Sequence, residues 1–292
     1  MRIGTRGSQL ARWQAEWVRA RLGENGAHAE IVEIKTRGDA EVDRPLHELE
    51  GKGFFTKEIE DALLDGRIDV AVHSLKDLPT QVPAGLALAA VPERHDAREA
   101  LVGGVRLADL PPGARVGTSS LRRITQVLYL RPDLQVVPLR GNVPTRLRKV
   151  ADGDGCDAAL LALAGLERLS LGERATPIDP FEVMPAPGQG ALGLEIRSGD
   201  GATRDALRPL ADAGSAQAVA AERALLAALG GGCQAPVAAW VAECRLFGRV
   251  TADDGSVQLT ASAEIDPARP ERAGEAVARL LEAEGAASLL AR

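Results

Sequence analysis

The feature that most constrains this chain is the alternation of strand-like and helix-like segments over its first 210 residues. From Ser8 onward, Leu10, Trp13 and Trp17 recur at three- and four-residue spacing, which is typical of an amphipathic helix. Short apolar runs such as 68–72 are typical of buried strands. Such alternation is the pattern of parallel sheets with crossover helices, so we predict an α/β fold with mainly parallel sheets.

The individual segments can be placed from apolar periodicity and turn signals. Strands are predicted at 2–5, 29–36, 68–72, 115–118, 134–139, 157–164 and 190–197, and helices at 54–65, 119–130 and 143–150. In such folds, residues at the carboxyl ends of parallel strands line the crevice in which ligands bind. Functional residues are therefore expected directly after these strands.

A polar stretch, a turn-rich stretch and a later change in sequence character predict three domains. A polar stretch at 92–99 and a turn-rich stretch at 185–190 are interpreted as two crossings between one pair of lobes, with a cleft between them. Lobe 1 then comprises 1–94 and 190–210, and lobe 2 comprises 98–185. The character changes after about residue 213, where a helix, a run of three glycines, alternating strands and a last amphipathic helix predict a small α+β domain at 213–292.

Composition and charge argue against several classes of function. The net charge is −6 and aromatic residues make up 3% of the chain, which argues against binding to nucleic acid or to an anionic membrane. No run of 18 uncharged apolar residues occurs, and no secretory signal opens the chain. Three widely spaced cysteines indicate a reducing compartment, and four unclustered histidines give no metal-binding motif. We therefore expect a cytoplasmic protein without a dedicated metal site.

Two segments combine a strand, a glycine-containing turn, a helix start and two arginines. The first contains Thr118, Ser119, Arg122 and Arg123; the second contains Arg140, Gly141, Asn142 and Arg146. Free backbone N–H groups at a helix start bind anions, and arginine adds charge-assisted hydrogen bonds to carboxylate or phosphate. The alternative for the first segment is a simple serine cap with surface arginines.

Further cations fall at the ends of other predicted strands. Together, the candidates are Arg6, Lys76, Arg122, Arg123, Arg140, Arg146 and Arg168. Each charge-assisted hydrogen bond contributes roughly 1.5–3 kcal/mol, so four bound carboxylates gain on the order of 6–12 kcal/mol before desolvation. So many cations in an acidic chain predict a polyanionic small molecule as ligand.

Three further places in the chain are also chemical candidates, each with a plain structural alternative. Lys76 beside Asp77 supplies a cation and a carboxylate for anchoring an anion and managing a proton, or else forms a solvated turn. Lys52, flanked by glycines in a long polar stretch, fits a lid that closes over an anion, or else is an exposed loop lysine. Cys233, in a glycine-rich loop, can carry a covalent group, or else is a buried core cysteine.

Seven motifs, in order and in register, resemble those of the porphobilinogen deaminase (hydroxymethylbilane synthase) family over essentially the full chain. They are Thr5-Arg6-Gly7-Ser8, Gly51-Lys52-Gly53, the stretch from His73 to Pro79, the stretch from Gly117 to Arg123, Leu139-Arg140-Gly141-Asn142, the stretch from Pro187 to Ala191, and Gly231-Gly232-Cys233-Gln234. The resemblance implies two periplasmic-binding-protein-like lobes around a cleft, and a small α+β C-terminal domain that presents Cys233.

The resemblance also implies the chemistry. A dipyrromethane cofactor would be bound to Cys233 through a thioether. The enzyme, a monomer, would join four porphobilinogen molecules head to tail with loss of ammonia and then release hydroxymethylbilane by hydrolysis, a step of tetrapyrrole and heme biosynthesis. Asp77 would be the catalytic carboxylate. The cofactor would contact Lys76, Thr118, Ser119, Arg122 and Arg123, and the substrate Arg6, Ser8, Lys52, Arg140, Gly141, Asn142, Arg146 and Arg168.

Two departures from the family pattern touch no motif: Gly230 replaces a charged residue before the Gly-Gly-Cys sequence, and residues 40–50 vary enough that no roles are assigned there. The chief alternative is a non-catalytic, two-lobe binding protein for a polycarboxylate metabolite. It would use the same arginines, but it gives no reason for the Cys233 loop or for a third domain. A nucleic-acid-binding protein is disfavoured by the acidic charge.

Overall fold

The computed structural model describes residues 1–36, 38, 56–232 and 235–291. Lys52, Cys233 and the first part of the predicted helix at 54–65 lie outside these residues. Two compact units are found: Met1–His95 with Ala191–Ala216, and Asp96–Gly190 with Gln217–Arg292. The division into three domains that the sequence suggests stays a prediction.

The first unit is built on a five-stranded sheet. Its elements are β1 (Arg2–Thr5), α1 (Gln9–Glu24), β2 (Glu30–Glu33), α2 (Lys57–Leu64), β3 (Val70–Ser74), β4 (Leu86–Ala90), β10 (Leu192–Arg197) and α6 (Gly201–Leu207). The strand order is β2-β1-β3-β10-β4. Strands β2, β1 and β3 are parallel, and β10 runs antiparallel to both of its neighbours, β3 and β4.

Helix α1 starts where it does because the residues around β1 fix its first turn. Ser8 accepts a hydrogen bond from the Ala11 backbone N at 3.3 Å, which satisfies one of the free donors at the helix start. The buried Thr5 hydroxyl donates to the Ala11 carbonyl at 3.0 Å. Val18 and Leu22 then pack with the strands in the unit's main core. These contacts set Arg6 and Ser8 at the end of β1.

The second unit repeats the same plan on another five-stranded sheet. Its elements are β5 (Glu99–Val102), β6 (Arg115–Gly117), α3 (Leu121–Leu130), β7 (Gln135–Val137), α4 (Val143–Ala151), β8 (Ala158–Ala162), α5 (Leu163–Arg168) and β9 (Ala175–Pro177). The strand order is β7-β6-β8-β5-β9. Here β7, β6 and β8 are parallel, and β5 is antiparallel to β8 and β9.

The same unit holds a three-stranded antiparallel sheet covered by helices. The strands of this sheet are β11 (Val237–Ala242), β12 (Arg245–Thr251) and β13 (Gln258–Glu264). The helices are most of α7 (Ala213–Ala228), α8 (Glu271–Ala283) and α9 (Ala286–Leu290). Leu225, Val250, Val277 and Leu281 are buried in its core. Gly274 allows α8 to approach the α7 backbone closely, because a Cβ there would collide with the Ala221 carbonyl oxygen.

The α/β class with mainly parallel sheets is confirmed, since in each five-stranded sheet four strands run one way and one runs the other. One local prediction is wrong. The strand predicted at 157–164 ends at Ala162, and residues 163–168 form α5, whose Leu163 and Leu166 are buried. Glu99, the last residue of the polar stretch 92–99, is the first residue of β5, where buried arginines pair with its charge. Among the described residues, no helix has the length and apolar character needed to cross a membrane.

Candidate active site

A cavity of about 80 Å³ lies in the first unit, where β1 and β3 end. Its lining residues are Arg6, Ser8, Leu10, Ala11, Gln14, Thr56, His73, Ser74 and Asp77. The predicted site residues Arg6, Ser8 and Asp77 are therefore brought together on one cavity. The cavity is at the carboxyl ends of parallel strands, which is where ligands bind in α/β sheets.

Asp77 is presented by a single 3₁₀ turn, Leu75–Asp77, that follows β3 directly. Leu75 and Leu78 are buried on either side of it, and the Leu75 N–H donates to the Ala191 carbonyl at 3.0 Å. The apolar anchors fix the turn, and the Asp77 side chain is left exposed at the cavity. Lys76, in the same turn, is half-buried.

Gln14, His73 and Ser74, to which the sequence analysis assigns no role, also line this cavity. The Gln14 amide donates to the Ser74 hydroxyl at 2.9 Å, which links α1 to the end of β3. Nε2 of His73 lies 3.1 Å from a carboxylate oxygen of Glu195, and both side chains are buried. The sequence carried one signal for this pair: Glu195 is an acidic residue inside the apolar strand β10.

In the second unit, Thr118 and Ser119 follow β6 and fasten the turn before α3. The Thr118 hydroxyl accepts from the Ser120 N–H at 3.2 Å. The Ser119 hydroxyl donates to the Leu139 carbonyl at 3.1 Å and accepts from the Leu139 N–H at 3.2 Å. This turn is therefore tied to the end of β7, and Thr118 is buried while Ser119 is exposed.

Arg122 and Arg123 are buried, each with 5% exposure, and share the fully buried carboxylate of Glu99. Arg122 donates to Glu99 at 2.6 Å and to the Met184 carbonyl at 2.7 Å. Arg123 donates to Glu99 at 2.7 Å and to the Leu160 carbonyl at 2.9 Å. Burial lowers the pKa of the Arg122 guanidinium, although Glu99 opposes this effect. The alternative of surface arginines is wrong, because the side chains are in the interior.

The second arginine segment lies at the start of α4. Asn142 caps the helix, because its side-chain oxygen accepts from the Thr145 N–H at 3.0 Å. Gly141 has a φ of 112°, a conformation that favours glycine, and a Cβ there would lie 2.8 Å from the Thr145 side chain. Arg146 donates through Nε to the Gly141 carbonyl at 2.7 Å, and Arg140 is half-buried beside it.

Arg168 ends α5 and is buried. One guanidinium nitrogen donates to the Gly190 carbonyl at 2.7 Å, which fixes the chain just before β10. Burial lowers the pKa of Arg168 to about 10, with Glu167 opposing the shift. A bound carboxylate stabilises a buried guanidinium of this kind, because the negative charge offsets the free-energy cost of removing the cation from water.

Two family models match this chain. The family model "Porphobilinogen deaminase, dipyromethane cofactor binding domain" matches residues 1–205, and "Porphobilinogen deaminase, C-terminal domain" matches residues 216–283. The porphobilinogen deaminase of Syntrophotalea carbinolica is 50% identical over 100% of this chain and 95% of its own. That of Geobacter metallireducens is 48% identical over 100% of this chain and 94% of its own.

The chain belongs to the porphobilinogen deaminase family. This membership confirms the transferase activity and the dipyrromethane cofactor that the seven motifs imply. Relatives of nearly the same length match end to end, so the binding-protein alternative has no better support. The roles given to individual residues stay predictions.

The described residues fit the family's cofactor, which carries several carboxylates. Two buried guanidinium groups share one carboxylate, so the Glu99 cluster holds more positive than negative charge. Nε of Arg123 is also buried without a hydrogen-bond acceptor among the described residues. A buried donor without a partner and an excess of buried positive charge both favour a bound anion. No group of three or more metal-binding side chains occurs among the residues that the structure describes.

Proposed function

We propose that this chain joins four porphobilinogen molecules head to tail, with loss of ammonia, and releases hydroxymethylbilane by hydrolysis. The observation that carries the proposal is the end-to-end match to porphobilinogen deaminases, together with a cavity that holds Asp77, Arg6 and Ser8 at the ends of β1 and β3. The substrate is a small polyanion with a leaving amine, and this cavity offers it a cation, a hydroxyl and a carboxylate.

Asp77 is the catalytic carboxylate in this proposal. When the C–N bond of the substrate breaks, the electron pair leaves with ammonia and positive charge develops on the pyrrole. A carboxylate held at the cavity stabilises that charge. When the new C–C bond has formed, the same carboxylate takes the proton from the α-carbon, which restores the aromatic ring. The short turn anchored by Leu75 and Leu78 supports this role, because it holds Asp77 on a rigid base.

The arginines and hydroxyls hold the acetate and propionate groups. Lys76, Thr118, Ser119, Arg122 and Arg123 are assigned to the cofactor, and Arg6, Ser8, Lys52, Arg140, Gly141, Asn142, Arg146 and Arg168 to the substrate. Burial of Arg122, Arg123 and Arg168 supports binding through their charge, since the electrostatic attraction is stronger where water is excluded. Ser119 and Asn142 also shape the turns on which the arginines stand.

The cofactor supplies the covalent tether and the free pyrrole position at which the first substrate is joined. We assign its attachment to the thiol of Cys233, through a thioether. Cys233 follows three glycines, and Cys156 is buried, with a pKa raised by burial, so Cys156 is a poor nucleophile. Cys244 is exposed and lies outside the seven motifs.

We further propose that the chain acts as a monomer in the cytoplasm, without nucleic acid or membrane partners. The net charge of −6 supports the absence of a polyanionic partner, because such a chain has no overall attraction for one. Weak retention on heparin at moderate salt, and a sedimentation mass of one chain, test these statements.

The decisive experiment measures the intact mass of the purified protein and of Cys233→Ala. The wild type is expected to exceed its sequence mass by one dipyrromethane, and Cys233→Ala is expected to have the sequence mass. Cys156→Ala is the matched control and keeps the adduct. A wild type that lacks the adduct even after incubation with porphobilinogen contradicts the proposal and supports the polycarboxylate-binding alternative.

The role of Asp77 is tested separately with Asp77→Ala. Because Asp77 is exposed, the variant is expected to fold and to carry the cofactor, while turnover falls by at least about 100-fold, the typical contribution of a positioned acid–base group. Turnover close to that of the wild type removes Asp77 from the catalytic role.

A further inference from the structure

A histidine and a glutamate form a buried pair next to the Asp77 cavity. His73, on β3, is 5% exposed, and Glu195, on β10, is fully buried. Their side chains meet at 3.1 Å, between Nε2 and a carboxylate oxygen. His73 also lines the cavity that holds Asp77. Neither residue has a role in the function proposed above.

Both side chains of the pair are buried, and burying charge is costly. Ala71, Ile59 and Leu63 form part of the adjoining core. Glu60, on α2, is a second buried carboxyl group there, and its pKa is raised by burial and further by Glu195. Glu60 therefore keeps its proton at a higher pH than an ordinary glutamate.

The geometry of the pair is that of an oriented base. When Nε2 of the neutral imidazole donates to Glu195, the other ring nitrogen, Nδ1, is the acceptor. A carboxylate on Nε2 fixes this tautomer and stabilises the imidazolium that forms when Nδ1 takes up a proton. The cavity that His73 and Asp77 share, at about 80 Å³, has room for water molecules that can carry a proton between them.

We propose that the His73–Glu195 pair is a proton acceptor for Asp77, which it returns to the carboxylate form after each condensation. The inference rests on the proposed function. In each condensation the C–N bond of the substrate breaks, a C–C bond forms, and the α-carbon proton passes to Asp77. That proton then moves through the cavity to Nδ1 of His73, and from the imidazolium to solvent. His73 acts through Asp77 and is thus a positioning residue for the reaction.

The charged and titratable groups around His73 come from several elements. Glu195 faces it from β10 and Glu60 interacts with it from α2. Arg6 and Asp77 share its cavity. Because the proposed proton path ends on this pair, its removal is expected to change the pH profile of kcat.

The test compares the pH profile of kcat for the holoenzyme of wild type, His73→Ala and Glu195→Gln. We expect kcat of His73→Ala to fall by about tenfold or more at neutral pH, with KM and the intact mass of the adduct unchanged. Added imidazole is expected to restore part of kcat to His73→Ala. Glu195→Gln keeps an acceptor but loses the charge, so its acidic limb is expected to move. Glu60→Gln is the matched control: it copies a protonated carboxyl group and keeps kcat within about twofold of wild type.

A folded His73→Ala with wild-type kcat, or with a reduced kcat that imidazole does not restore, overturns the proposal. If His73→Ala does not fold, Glu195→Gln provides the test. A kcat profile of Glu195→Gln whose acidic limb is identical to that of wild type overturns the proposal. The proposed function of the chain is tested independently, with the wild-type protein. A wild type without adduct and product removes the proposed function, whereas an active wild type with unaltered variants removes only the role of the pair.

Discussion

Glu99 offers a sharp test of how the second unit is held together. Its carboxylate is fully buried and receives two charge-assisted hydrogen bonds, at 2.6 Å from Arg122 and 2.7 Å from Arg123. Glu99→Ala removes both bonds and leaves two buried guanidinium groups without their counter-charge. Breaking a buried ion pair by removing one partner costs about 3–5 kcal/mol. We expect the free energy of unfolding to fall by about that amount.

The assay is urea unfolding at neutral pH, followed by far-UV circular dichroism and analysed transition by transition, since a chain of several domains need not unfold in one step. Asp109→Asn is the matched control in the same unit. It removes a carboxylate from an ion pair with Arg106 whose side chains are 48% and 73% exposed, and its midpoint is expected to stay unchanged because solvent screens such pairs. A loss for Glu99→Ala below about 1 kcal/mol, which is the range of exposed ion pairs, would contradict a stabilising role for the buried Glu99 cluster.

Three other predictions follow from single contacts. Gly274→Ala is expected to destabilise the protein by about 1–3 kcal/mol, because the added Cβ collides with the α7 backbone. The control is Gly23→Ala, where nothing lies within 4 Å of the added Cβ and α1 is expected to be stabilised by up to about 1 kcal/mol. Equal effects of the two variants in thermal unfolding would contradict this prediction. Asn142→Ala is expected to cost about 1 kcal/mol through loss of the α4 cap, whereas Asn142→Ser keeps an acceptor and most of the stability in urea unfolding; equal losses argue against the cap. Partial burial opposes the shift at Asp69, but hydrogen bonds from Arg2 and Arg197 lower its pKa from 3.8 to about 2. A lowered folded-state pKa stabilises the fold above the unfolded-state pKa, and this contribution is lost as pH falls through about 2. The difference in free energy of unfolding between wild type and Asp69→Asn is therefore expected to be full above pH 3.8 and to shrink towards pH 2. A difference that does not change with pH is the contrary result.

Much of the fold was predictable because its signals are local. Apolar spacing from Ser8 onward locates α1, and Ser8 is the residue that caps it. A buried apolar run followed by polar residues locates β3 and the turn that presents Asp77. Glycine turns after β6 and β7 place Arg122, Arg123, Arg140 and Arg146 at helix starts. In each case the pattern and the structure depend on the same few neighbouring residues.

The direction of β5 and β10 was not predictable in this way. A buried strand has the same apolar pattern whether its neighbours run parallel or antiparallel to it, so periodicity alone does not distinguish them. The start of β5 was not predictable either, because its first residue, Glu99, is charged and ends a polar stretch. The two arginines that pair with this charge lie 23 and 24 residues further along the chain.

The class of fold, the family and the set of charged residues at the strand ends follow from the amino-acid sequence alone, since they depend on local periodicity and on motifs in register. Which charges meet follows only from the way the strands pair and pack. His73 and Glu195 are 122 residues apart and come together because β3 pairs with β10. Likewise, Arg122 and Arg123 gain a common counter-charge only when Glu99 is buried beside them. Ion pairing in an interior depends on distance and burial, and neither quantity exists until the strands are paired.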